Sequence, residues 1–185
     1  MQSFGERFKK LMIRLSPQVI EKEDLDLIQM QLNREPRGLV SIAARCPCSG
    51  PLVVQTEPRL PDGTPFPTTY YITCPRLAGA IGTLESSGLM KEMQDQLDSN
   101  PELASGYQQA HEKYLADRQA LGHVPELDGI SAGGMPTRVK CLHVLIGHSL
   151  ATEPGVNPLG DQALELLQPW WIPTSCRVED VSTSE

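Results

Sequence analysis

The chain has 185 residues, 39% hydrophobic and 21% charged, with 16 Lys and Arg against 23 Asp and Glu for a formal charge of -7. That balance suits one ordinary domain with a buried core, and argues against a disordered chain, a membrane-spanning one and a charge-driven nucleic-acid binder. The five cysteines are an odd number and no basic-then-apolar leader precedes a small-residue cleavage site, so the expectation is reduced thiols in the cytoplasm and not a secreted disulfide scaffold.

Residues 1–23 form a basic amphipathic extension. Phe4, Phe8, Leu11, Met12 and Leu15 share one helical face, and Arg7, Lys9, Lys10 and Arg14 occupy much of the rest. Such a helix suits peripheral contact with an anionic membrane surface or an acidic protein partner, and equally a docked position on the body. Ser16-Pro17 ends it, because the residue before proline avoids helical geometry. A helix is predicted over residues 24–33, with Asp24 as its cap and Leu25, Ile28 and Leu32 on one side.

After Pro36-Arg37-Gly38 the pattern turns to β-prone runs at residues 39–44, 52–56 and 68–73. The last two are joined by residues 58–67, four prolines around an Asp62-Gly63 turn, which reads as a rigid link between antiparallel strands. Helices follow: one opened by Pro75, one from Leu89 after the break at Gly88, and a long one from Asn100-Pro101 to about Leu121. The stripe Leu103, Tyr107, Ala110, Tyr114 and Leu121 on the long helix reads as core. Residues 122–135 read as a loop, 136–151 as a helix apolar nearly all round, and 161–167 as a short helix before Trp170-Trp171, whose indoles pack the chain back on the body. The fold class is α+β: a small three-stranded antiparallel sheet packed against four to six helices, one domain over residues 24–168. Residues 169–185 form a Trp-containing segment and an acidic tail.

Four cysteines stand where packing alone does not demand them. Cys46 and Cys48 follow the first strand, Cys74 follows the third, and Cys141 lies on the predicted apolar helix. In an antiparallel meander the first and third strands run the same way, so Cys46, Cys48 and Cys74 reach one edge of the sheet. With Cys141 delivered by the helix, four thiolates suit a closed zinc site or an iron-sulfur cluster. His143 is two residues from Cys141 and on a regular helix points elsewhere; it substitutes for Cys48 as fourth ligand if the helix starts late or bends. The plain alternative is that these are small buried hydrophobes. Cys176 has no partner at a useful spacing.

Arg45, Arg76, Arg138 and Lys140 each lie within three residues of a candidate ligand, in a chain that is acidic overall. Arg76 and Arg138 open predicted helices, where free N–H groups favour anions. Together they suit a phosphate or carboxylate ligand, or simply offset thiolate charge. His111-Glu112 lacks the second histidine of a metalloprotease helix, since position 115 is Leu, and Gly133-Gly134 lacks the lysine of a phosphate loop.

The runs at residues 44–48, 60–68, 73–77, 84–90, 133–143 and 155–160 resemble the bacterial family called domain of unknown function 501, over roughly residues 24–168. By that resemblance Cys46, Cys74, Cys141, His143 and His148 fall in signature segments and Cys48 is less characteristic, which shifts the ligand set toward three cysteines with a histidine or water. No activity follows from it. The sequence therefore supports a cytoplasmic metal-binding protein, zinc before iron-sulfur, with Cys46, Cys48, Cys74, Cys141 and His143 as candidate ligands. An enzyme acting on a phosphorylated or other anionic small molecule through a metal or a thiol is the second reading, and an interaction module with structural cysteines the third.

Overall fold

The computed structural model describes residues 17–171. The amphipathic segment up to Leu15, Cys176 and the acidic tail lie outside them. Helix α1 (Lys22–Leu32) is followed by strands β1 (Leu39–Arg45), β2 (Pro51–Thr56) and β3 (Tyr70–Ile72) and by helices α2 (Pro75–Ser86), α3 (Leu89–Ser99), α4 (Pro101–Leu121), α5 (Leu142–Ala151) and α6 (Pro158–Glu165). This is the α+β architecture expected. Ahead of α1, Gln18 forms an antiparallel bridge with Ile42 of β1.

The sheet is an antiparallel meander in the order β1-β2-β3, with Ile42 opposite Val54 and Val54 opposite Tyr71. The β1–β2 turn is closed by bonds from Cys46 N to Gly50 O and Ser49 N to Cys46 O. The proline-rich link folds back on itself, with Leu60 N bonded to Thr64 O and Phe66 N to Pro58 O. Prolines fix φ and withhold donors, so the remaining N–H groups bond within the link.

The main core cluster joins Leu52, Val53 and Tyr70 of the sheet to Leu77 and Ile81 of α2, Tyr107 and Tyr114 of α4 and most of α5. Asn100 caps α4 by accepting from the N–H groups of Glu102 and Leu103. The expected stripe is buried at Tyr107, Ala110 and Tyr114, together with His111 and Arg118. Arg118 is stabilised by donating to the carbonyl of Leu127 at 2.6 Å, which ties the loop after α4 to the body. Glycine lets α5 approach closely: a Cβ at Gly147 would stand 2.9 Å from the Tyr70 carbonyl oxygen, and one at Gly160 would overlap the Leu145 carbonyl. Trp170 is buried in the same core, as the sequence suggested.

One element differs in a way that matters. The helix predicted over residues 136–151 starts at Leu142, and Cys141 is its N-cap with extended geometry (φ -155°, ψ 110°). The preceding residues are held by bonds from Arg138 N to Gly134 O and Lys140 N to Gly133 O, so Arg138 opens no helix. Apolar periodicity ran ahead of the real start because Val139 is buried from a loop. Among the described residues no helix is long and apolar enough to cross a membrane.

Candidate metal centre

The late start of α5 changes what Cys141 and His143 can do. On a continuous helix, residues two apart point in divergent directions. A capping residue with extended backbone lies off the helical cylinder, and its side chain can turn toward that of the second helical residue. Across from them stands Glu85, in the last turn of α2. One ligand atom each from Glu85, Cys141 and His143 lies within 4.8 Å of the other two, and among the described residues no other three His, Cys, Asp or Glu side chains meet so closely.

Glu85 is positioned by α5. Its Oε1 accepts from Leu142 N at 2.7 Å and stands 3.2 Å from His143 Nδ1. The first N–H groups of a helix have no partner inside it and carry partial positive charge, so a carboxylate there is stabilised. His143 Nε2 lies 3.2 Å from the Ala78 carbonyl oxygen, which fixes the ring and leaves Nδ1 facing Glu85. The hydrogen bond with Cys141, and then the hydrogen bond and charge of Glu85, push the His143 pKa up to about 9 against the lowering effect of burial. Without metal the ring is therefore an imidazolium at neutral pH, and both nitrogens donate. The site is half-buried, with the His143 side chain 34% exposed.

The other predicted ligands form a separate neighbourhood. The meander does bring Cys46, Cys48 and Cys74 to one edge: Cys46 is hydrogen-bonded to Cys48 and feels the charge of Cys74. Burial, first, and these like-charged neighbours push the Cys46 thiol up to about 12, with a backbone N–H of Cys48 opposing. Cys74 caps α2, and Glu85 lies eleven residues further on. At 1.5 Å per residue that is about 16 Å along the axis, so Cys141, beside Glu85, belongs to the opposite end of α2 from Cys74.

Of the basic residues, Arg45 is held by a two-pronged pair with Asp24 (2.7 and 2.8 Å) and by Gln18 and the Ser49 carbonyl. Its charge is thereby offset inside the fold. Arg76 is exposed in the first turn of α2; Arg138 and Lys140 are exposed on the strap leading into Cys141. Of the remaining histidines, His148 is fully buried, stacked on Tyr70 and 3.3 Å from Asn157 Nδ2. His111 is 8% exposed.

Glu85 is the residue the sequence reading missed. Its one local signal is a carboxylate in the last turn of a helix, where the dipole disfavours it. The family model described as "Protein of unknown function (DUF501)" matches residues 42–165, which include the whole centre. No curated protein and no solved structure matches the chain.

Proposed function

The chain belongs to that family of unknown function, and from its geometry we propose a metal-binding protein that holds one zinc ion through Cys141, His143 and Glu85. The observation carrying this is the convergence of the three side chains within 4.8 Å. Zinc bonds of about 2.0–2.3 Å in a tetrahedron place donor atoms about 3.3–3.8 Å apart, so contraction by about 1 Å completes the site. The Ala78 carbonyl supplies the outer support typical of a metal-bound histidine, accepting from Nε2–H while Nδ1 turns to the metal. A nitrogen, a sulfur and an oxygen suit zinc; one thiolate does not suit an iron-sulfur cluster, which draws on several.

Three protein ligands leave a fourth position open, the arrangement of catalytic zinc sites. Arg138 and Lys140, exposed just before Cys141, favour an anionic ligand there, phosphate or carboxylate, and metal-assisted hydrolysis of such a substrate is the chemistry this supports. One observation favours a second reading. Both nitrogens of His143 face acceptors, so the metal-free site pairs an imidazolium with a cysteine at a helix start, surroundings in which thiols act as nucleophiles.

Metal analysis and cobalt(II) titration of anaerobically purified protein decide between them. One metal per chain, with a thiolate-to-cobalt absorption band lost in Cys141→Ser and His143→Ala, is the expected result. A folded protein that takes up no zinc or cobalt, with Cys141 selectively alkylated, overturns the zinc reading in favour of the thiol.

A further inference from the structure

Residues 137–140, the strap that delivers Cys141, belong to no helix or strand, yet their backbone is held from two sides. On one side stands Gln94 of α3. Its Oε1 accepts from Val139 N at 2.9 Å, and its Nε2 donates to the Thr137 carbonyl at 3.2 Å and to Asp98 Oδ1 at 2.8 Å. A backbone N–H can only donate, so the orientation of this amide is settled and its nitrogen serves both acceptors. On the other side Arg138 N donates to Gly134 O and Lys140 N to Gly133 O, while the Tyr107 hydroxyl of α4 donates to the Arg138 carbonyl at 3.1 Å. Odd-numbered residues bond one way and even-numbered ones the other, the alternation of an extended chain. Gly134 permits the close reversal: at its φ of +96° a Cβ would stand 2.5 Å from the Arg138 oxygen.

These bonds take up the groups that a longer α5 would need. A helix running back through the strap would bond Cys141 N to Thr137 O and Leu142 N to Arg138 O. Instead Thr137 O is held by Gln94, Arg138 O by Tyr107, and Leu142 N by Glu85. The apolar pattern over residues 136–151 favours helix throughout. Side chains of three other helices therefore stop α5 at Leu142, and a helical Cys141 would point away from His143.

We propose that Gln94 is a positioning residue for the metal, a role that rests on the zinc reading: by clamping Thr137 and Val139 it keeps the strap extended and Cys141 within reach of His143. Tyr107 supports the same conformation from the opposite side. Neither side chain touches the ion, and both act through the backbone that leads into Cys141.

Cobalt(II) titration of the full chain, stripped of metal, tests this. Gln94→Met keeps the length of the side chain and removes its hydrogen bonds; we expect cobalt affinity to fall about tenfold or more, the range of groups that support a ligand, with a weaker thiolate-to-cobalt band. Gln94→Glu, which still accepts from Val139 N, recovers part of both, and Tyr107→Phe gives a smaller loss in the same direction. A merely structural glutamine would lower the urea midpoint and leave affinity and band unchanged, and that result overturns the proposal while the zinc reading stands. Wild-type protein that takes up no cobalt overturns both. Should Gln94→Met not fold, Tyr107→Phe decides, and undiminished affinity and band in that variant overturn the clamp.

Discussion

The two cysteine neighbourhoods of this protein sit at opposite ends of α2 and differ in everything but the sulfur. Cys46 and Cys74 are 4% and 0% exposed, and the thiol of Cys46 is pushed up to about 12 by burial and by its sulfur neighbours. Cys141 shares a half-buried site with an imidazole and a carboxylate. Burial without a compensating positive charge keeps a thiol neutral, whereas a nearby cation or metal favours the thiolate. A cysteine count therefore says little until the neighbours are known.

The sharpest way to break the contrast is to remove one ligand. His143→Ala should weaken zinc or cobalt binding at least about a hundredfold, since deletion of a direct ligand exceeds the 10–100-fold typical of supporting groups. Equilibrium metal titration measures it, and undiminished affinity would mean that the ligands lie elsewhere. Cys74→Ser should do the reverse, leaving metal affinity intact while destabilising the fold by about 1–3 kcal/mol through burial of a hydroxyl in an apolar site. Urea unfolding beside the titration separates the two effects.

A pH series sharpens the comparison further. Because the folded-state pKa of His143 is raised, its stabilising contribution in the metal-free protein is present in full below about 6.5, and is lost as pH rises toward about 9. For a side chain a third exposed, screening holds this to about 2 kcal/mol or less. His143→Gln should flatten that part of the stability profile. Zinc binding should run the opposite way, tightening over the same window because the ion displaces the proton. The smallest effect is expected from Glu85→Gln, which removes the second of the two raising influences: the His143 titration, followed by NMR, should move below 9 without reaching 6.5, since the Cys141 contact remains. A titration that does not move would place Glu85 outside the site.

Much of the fold was legible in the residues. Pro75 and Asn100-Pro101 announced α2 and α4, and the β-prone runs at residues 39–44, 52–56 and 68–73 with the Asp62-Gly63 turn announced the meander. Local chemistry dictates these features: a proline at a first turn or a stripe at helical spacing acts over a few residues. The meeting of Cys46 with Cys48 and Cys74 was legible for a related reason, because strand direction follows from hairpin connection alone.

The centre was half legible. Cys141 and His143 stood out as residue types, but their cooperation depends on where α5 begins, and an apolar run does not mark that point: Val139 is as buried in the strap as Val144 is in the helix. Glu85, 56 residues before Cys141, comes to it only because α2 packs on α5 and the free N–H of Leu142 attracts a carboxylate. Arg45 shows the same limit. Its place beside Cys46 suggested an anion site, and Asp24 of α1, 21 residues away, takes up its charge. The sequence by itself determined the class of the fold, the order of its elements and the residue types available for chemistry, all of which follow from short-range sterics and periodicity. Which of those residues meet was decided by tertiary packing, because charge pairing and metal-ligand geometry are set over a few ångströms in space between groups that lie tens of residues apart along the chain.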